Sequence, residues 1–523
     1  MITRIAYAIA IAVSFISCAQ ESAREAGSPE QHRPRLHFTP PSKWMNDPNG
    51  MVYYEGEYHL FYQHYPDDIV WGPMHWGHAV SRDLVHWEHL PIALYPDSIG
   101  YIFSGSAVVD WNNTSGFGHD NTLPIVAIYT YHNMESEKAG RNDFQSQGIA
   151  YSLDKGRTWT KYPGNPVIKS PGIRDFRDPK VIWHDASHQW VMTLAAGDHV
   201  RFYTSPNLKD WSYASSFGKR EGAHGGVWEC PDLFALTPEG EERRKWVLLV
   251  SINPGAPNGG SGTQYFIGQF DGQQFVLDSD QDPGVYNWLD LGRDNYAGVT
   301  WSDINIKDGR RIFMGWMSNW QYAQQTPTTN WRSAMTLPRE LQLKKSLRGW
   351  RVWSRPVVEL KTLRDSSFSL PPQQLQGHKD LEEQLGFSPT LLEAILEVEL
   401  GDNSISVFGL EWHNDLGERY SVGYDAARGL YFSDRTQSGK VGFSDTFAQN
   451  IHYASRQVAG NIVKLHIFVD VASAELFADD GATCMTDIFF PSTNYHRLRF
   501  FADNDAVSIR KAEFFLLAPA HSR

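Results

Sequence analysis

Read along its length, the chain is all-β: a five-bladed β-propeller over residues 34–345, then a C-terminal β-sandwich over 366–518. Three observations lead there. A polar turn closed by an aromatic residue recurs as SRDLVHW (81–87), SLDKGRTW (152–159) and SPNLKDW (205–211), with FDGQQF (270–275) a weaker copy. Strand hairpins lie between these copies, and regular self-similarity of this kind marks a repeat architecture such as a propeller of four to eight blades. Near residue 346 the repeat stops, charge rises, and a new period-two pattern begins.

The N-terminal segment comes first. MITRIAYAIAIAVSFISC carries Arg4 and then an apolar run from Ile5 to Ile16, too short for a bilayer span and suited to a secretory signal over residues 1–18. Its end, FISC, is similar to a bacterial lipobox, in which Cys18 is lipidated after cleavage. Cleavage after Ala19, releasing a free secreted protein, is the alternative. Residues 19–33, AQESAREAGSPEQHR, are polar and read as a flexible tether. The expected location is the bacterial envelope, as an outer-membrane lipoprotein facing the periplasm or the surface, or outside the cell. Membrane contact is expected only through that anchor.

Five hairpin units follow: GMVYYEGEYHLFYQ; SGSAVVDW with PIVAIYTYH; PKVIWHDASHQWVMTLAAG; PDLFALTPEGEERRKWVLLVSIN; and GVTWSDINIKDGRRIFMGWMSN. Each places alternating or continuously apolar strands around a turn of Gly, Asp, Asn or Glu. A sandwich with long loops is the structural alternative. The charged stretch LPRELQLKKSLRGWRVWSRPVVELKTLRDSS ends the repeat, and a linker is expected over 346–365. Beyond it, KLHIFVDVASAELFADDGATCMTDIFF alternates through two strands, turns at Asp479, Asp480 and Gly481, and starts a third. This block gathers no catalytic residue types, so its expected role is to pack against the propeller.

Composition narrows the function. At 523 residues, 41% hydrophobic and 20% charged, this is ordinary globular composition for a large domain and a smaller companion. A net charge of −13 with no basic stripe argues against nucleic acid and favours a neutral substrate. Nineteen Trp and 23 Tyr supply flat faces that suit sugar rings, although most must fill core. Past Cys18 only Cys230 and Cys484 remain, so neither a disulfide framework nor a thiolate metal site is expected. His75 and His78 in MHWGH read as packing or hydrogen-bonding residues. The sequons in NNTS (112–115) matter only in a eukaryotic secretory route. No cofactor or metal is expected, and oligomeric state is left open.

Three acids stand at the mouths of hairpin strands: Asp47 in WMNDPNG, Asp178 in FRDPKV and Glu229 in WECPDL. Their placement reads as corresponding, with Pro48, Pro179 and Pro231 close behind. Innermost propeller strands run beside the axis, so acids at their starts converge at one mouth of the channel. Singly, each has a plainer explanation: turn chemistry for DPNG, an ion pair for Arg177 and its neighbour, a surface position for Glu229. Glycosidic cleavage needs one carboxylate to attack or stabilise the sugar carbon and a second, protonated one to serve the leaving oxygen. A third can bind sugar hydroxyls and tune the others, since crowded carboxylates do not all ionise freely.

WMNDPNG, FSGS (103–106), FRDP and WECPD, in this order and at these intervals, resemble glycoside hydrolase family 32, the invertases, inulinases and levanases. DNYAGVTW (294–301) and FVDVASAELFADDG extend the resemblance over about residues 35–515. It implies the propeller-plus-sandwich fold and a retaining double displacement on β-fructofuranosides. Carried over by residue, Asp47 is the nucleophile and Glu229 the general acid/base. Asp178 becomes the transition-state stabiliser, with Arg177 beside it to hold its charge. Asn46, Gln63, Trp71, Phe103, Ser104 and Trp316 match pocket-lining positions, and Asp294 and Tyr296 positions near the rim. Cys230 is expected as an apolar flank or a plain buried hydrophobe. The expected activity is exo-release of fructose from levan or inulin. Sucrose hydrolysis, fructosyl transfer, and a catalytically dead lipid-anchored fructan-binding protein are the alternatives.

Overall fold

The computed structural model describes residues 30–520, apart from 280, 282, 283, 285 and 306. The signal segment, Cys18 and the first part of the tether lie outside the described residues. The end of the tether is docked rather than free: His32 is buried, its Nε2 2.9 Å from Pro491 O, and Arg33 donates to Thr39 Oγ1 at 2.7 Å.

The repeated turn joins the third and fourth strands of a blade, and its chemistry explains its recurrence. Asp83 Oδ1 accepts from the backbone N–H groups of Val85 and His86 at 3.0 and 2.8 Å, and Trp87 Nε1 caps Leu84 O at 3.1 Å. Asp154 with Trp159, and Asn207 with Trp211, repeat this arrangement. A short side-chain acceptor closes the turn, and the indole edge locks it.

Blades 1 to 5 open with the strands Lys43–Tyr54, Tyr101–Val109, Phe176–His184, Val227–Leu236 and Tyr296–Thr300, each continued outward by antiparallel strands. These first strands contact one another in order around the ring, and the fifth returns to the first, so they surround the axis. Blade 1 meets blade 5 through Tyr53 N to Ser302 O at 2.9 Å and through a parallel pairing of Lys43–Trp44 with Trp331–Arg332.

The expected linker is displaced. Gly349–Pro356 pairs in full register with Arg339–Ser346 as the outer hairpin of blade 5, so the propeller runs to Pro356. Charge misled the reading because this hairpin carries its Lys and Arg beside buried residues: Lys345 is exposed, whereas Trp350, Arg351, Val352 and Ser354 of the last strand are buried. The connector is the short 3₁₀ segment Val358–Leu363, and the second domain begins at Arg364.

That domain is a β-sandwich built around the 21-residue strand Arg497–Leu517. Its first half pairs with Val407–His413 and its second with Leu392–Glu399, and the layers enclose Leu396, Phe408, Trp412, Leu465, Phe500 and Phe514. The seam with the propeller is ionic and buried. Arg339 binds Glu475 and Asp290, the latter at 2.8 Å, and His37 lies between Asp470 and Glu475 at 2.8 and 2.9 Å. Burial opposes a charge on His37, but its two carboxylates prevail and raise its pKa to about 9.

Candidate active site

One backbone device recurs in all five blades. At the same level of each innermost strand there is an extra residue relative to its neighbour: between Met45 and Pro48, Ile102 and Gly105, Arg177 and Lys180, Glu229 and Asp232, and Tyr296 and Val299. Such bulges re-aim side chains out of the strict in–out alternation of a strand. Asp178, Cys230 and Ala297 occupy the same bulge position and share a left-handed backbone, with φ of 67°, 44° and 53°. This is costly for non-glycine residues and is held by the surrounding sheet.

The bulges also correct the expected correspondence of the acids. Glu229 stands at the first bulge position, Asp178 at the second and Asp47 at the third. They share a level but not a register position, and the bulge lets all three side chains reach one space.

Asp47 is fixed by Asn46 Nδ2 on Oδ1 at 3.0 Å and Ser104 Oγ on Oδ2 at 2.8 Å. Burial, and after it the charge of Glu229, push its pKa up, while the Asn46 and Ser104 hydrogen bonds pull the other way. Cys230 stands between the acids. Its Sγ is 3.5 Å from Asp47 Oδ2 and 3.6 Å from Asp178 Oδ2, and its backbone N–H donates to Asp178 Oδ2 at 3.0 Å. Burial followed by the carboxylates' charge keeps this thiol protonated. It is buried in the apolar cluster, as one of the two expectations had it, and also bridges the two carboxylates.

Arg177 does not chiefly serve Asp178, as expected. Its Nε and Nη2 donate to Glu229 Oε1 at 3.2 and 2.9 Å and its Nη1 to Asp175 Oδ1 at 2.7 Å, whereas Asp178 is 4.0 Å away. Asp178 is consequently undercompensated. Burial is the main cause, Arg177 opposes it, Glu229 and Asp47 add to it, and its pKa is pushed up to about 7. Its own N–H donates to Thr130 Oγ1 at 3.0 Å. Glu229 Oε2 accepts from the Tyr296 hydroxyl, which places Tyr296 against the acid instead of at the rim.

The walls are aromatic. Trp44, Trp316 and Trp320 form one cluster, and Trp44 Nε1 orients Asn46 by donating to its Oδ1 at 2.7 Å. Gln63 Nε2 and Trp316 Nε1 are buried donors without a protein partner among the described residues, as sugar-binding groups would be. Trp71 meets Phe103 edge to face at 5.9 Å, and Phe103 stacks on His132 at 4.2 Å.

Asp294 is a correction. It is fully buried, held by Arg435 Nη1 at 2.6 Å, the Tyr322 hydroxyl at 2.7 Å and Ile488 N–H at 3.0 Å, so it ties propeller to sandwich. His75 and His78 pack as expected, His78 stacking on Phe61 at 4.0 Å. Among the described residues, the one cluster with metal-like spacing, Asp380, Glu382 and His413, lies on the sandwich. Sequence reasoning missed Asp175, Thr130 and His132. Asp175 stands just before the strand in a left-handed backbone, φ 59°, a conformation its sequence does not announce.

A five-bladed ring that brings an acid held by Asn46 and Ser104, an arginine-clamped acid and a third buried acid to one mouth of its axis has the groups glycoside cleavage requires. The chain belongs to the glycosyl hydrolases family 32: the family's N-terminal domain model matches residues 37–356 and its C-terminal model 359–515. It is 50% identical over 487 residues to a levanase of Bacillus subtilis, covering 92% of this chain and 70% of that one. It is 42% identical to an extracellular exo-inulinase of Aspergillus ficuum, with 89% and 90% covered. The crystal structure of an exo-inulinase from Aspergillus awamori superposes with a TM-score of 0.86 at 38% identity, covering 94% of this chain and 99% of that one.

Proposed function

We propose that the protein is a retaining exo-hydrolase that releases terminal fructose from levan or inulin. The observation that carries this is the shared funnel, in which Ser104 and Asn46 aim Asp47, and Arg177 and Tyr296 aim Glu229. In the first step Asp47 attacks the fructosyl anomeric carbon while Glu229 gives its proton to the departing oxygen. In the second, Glu229 takes a proton from water, whose oxygen displaces Asp47 and frees fructose. Asp178 receives hydrogen bonds from fructose hydroxyls, and Gln63 and Trp316 donate to others. The similarity to a levanase and to exo-inulinases supports the substrate class.

Chromatography of the earliest products from levan, inulin and sucrose tests this. Fructose alone from the polymers is expected. Oligosaccharides appearing first would mean internal cutting, longer products would mean transfer, and sucrose cleaved far faster than either polymer would mean an invertase. Export with a lipid on Cys18 is the companion proposal, supported by FISC and by relatives described as extracellular. Labelled palmitate should enter the chain and be lost in Cys18→Ala; an unlabelled parent chain would leave only simple secretion.

A further inference from the structure

Trp111 is the only one of the chain's 19 tryptophans that stands exposed, with 54% of its surface open. It is nevertheless rigidly mounted. Asp110 accepts from the backbone N–H groups of Thr114 and Ser115 at 2.9 and 2.8 Å, and Asn113 and Gly118 hold each other across the loop. The indole Nε1 donates to Asp303 Oδ1 at 2.8 Å, and Tyr54 packs beside the ring at 5.9 Å. An exposed, immobilised indole presents an apolar face at little entropic cost.

That face borders a cavity of about 590 Å³, whose lining includes Asn112, Asp185, Arg244 and Arg311. The volume suits a small-molecule site. The cavity gathers the far ends of the inner strands, at Val109, Trp183 and Ser302, whereas the catalytic bulges lie near the strand starts. Along blade 2 the separation from Ser104 to the strand's end at Val109 is roughly 15–20 Å at the rise of a strand. This is the opposite mouth of the channel.

Asp303, Arg310 and Lys180 in this lining are paired, but other polar groups are lightly engaged. Among the described residues neither Arg244 nor Arg311 has a carboxylate at ion-pairing distance; the Arg311 side chain donates one hydrogen bond, to Trp301 O at 3.3 Å, and lies over the Phe234 ring at 5.2 Å. Ser302 Oγ is buried and has no partner. Burial loosens the proton on Arg311, the charges of Asp232 and Asp303 oppose it, and Arg244 adds a smaller push in the same direction as burial. With Asp185 in the same lining, the site mixes donors and acceptors around a flat aromatic face and does not select a pure anion.

We propose that this mouth is a second carbohydrate site, in which Trp111 stacks on a neutral sugar ring while Arg244, Arg311 and Asn112 donate to its hydroxyls. It would hold the enzyme on a polymer while the catalytic pocket works on a chain end, and it rests on the reading of the substrate as a fructan.

The test is electrophoretic retention in gels containing levan or inulin, run on the Asp47→Ala protein so that the polymer survives, with excess free fructose filling the catalytic pocket. Retention should persist, weaken about tenfold when Trp111→Ala is added, and largely recover with Trp111→Phe. In the active enzyme, Trp111→Ala should leave kcat/KM on sucrose within about twofold and raise KM on polymer. No retention, retention abolished by free fructose, or retention indifferent to Trp111→Ala would each overturn the proposal. An enzyme that releases no fructose yet is retained through Trp111 would sink the catalytic reading and leave this site standing.

Discussion

Arg177 grips Glu229 Oε1 with two nitrogens, at 3.2 and 2.9 Å, and spends its third on Asp175 at 2.7 Å. One guanidinium therefore positions the proposed acid/base and supplies the cluster's nearest positive charge. Arg177→Ala leaves buried carboxylates uncompensated and Glu229 free to rotate. We expect a fall in kcat/KM of about 10²-fold or more and a stability loss of about 3 kcal/mol. Arg177→Lys should recover stability better than rate, because an ammonium cannot reproduce the fork. Steady-state kinetics beside thermal melts check both, and equal recovery of the two would contradict the positioning role.

Glu229→Gln should cut fructose release from levan by about 10²- to 10⁴-fold, the usual share of a general acid. A fructosyl donor whose leaving group departs without a proton should lose much less in the first step. Matching losses on both substrates would remove Glu229 from that role.

Asp178 makes a prediction in pH. Its pKa, about 7 in the folded protein, lies above the ordinary carboxylate value of 3.8. The sign follows directly: the contribution to stability is fully present below about pH 4 and is lost as pH rises through 7. Asp178→Asn removes that loss, so its unfolding free energy should gain on the parent's between pH 4 and 8, by an amount on the order of a few kcal/mol at the upper end, with a matching rise in relative melting temperature. Activity should still collapse, because the amide cannot accept the same hydroxyl bonds. A gap that does not change with pH would contradict the undercompensated carboxylate.

Asp294→Ala tests the corrected position of that residue. Removing Asp294 leaves the buried Arg435 with the more distant Asp487, at 3.8 Å, at a cost of about 3 kcal/mol. The melting temperature should fall sharply while KM for fructan stays within about threefold at a temperature where the variant is folded. An intact melt with a raised KM would return Asp294 to the pocket.

The propeller was legible because its recurring turn is local chemistry: an Asp or Asn acceptor and a Trp cap written within seven or eight residues, as at Asp83 and Trp87. The three acids were legible as strand-start residues followed closely by proline. Their offset was not, since a bulge is a relation between two strands, and nothing in FRDP alone says that Asp178 takes a left-handed backbone. The partners of Arg177 and Asp294 were hidden for the same reason. Arg177 reaches Glu229 from 52 residues away and Asp294 meets Arg435 across 141, distances that only the closed ring and the docked sandwich bring together. The last strand of blade 5 failed differently, because a stretch rich in Lys and Arg reads as a linker in composition although Trp350, Arg351, Val352 and Ser354 in it are buried.

The central claim is that Asp47 bonds covalently to the sugar in the funnel it shares with Glu229 and Asp178. Its most direct measurement is peptide mass spectrometry of Glu229→Gln quenched during turnover of an activated fructosyl donor. The account predicts one fructosyl unit on the peptide containing Asp47, absent from the same experiment in an Asp47→Ala background. A fructosyl unit on Asp178, or release of product with inverted anomeric configuration and no adduct at all, would contradict it.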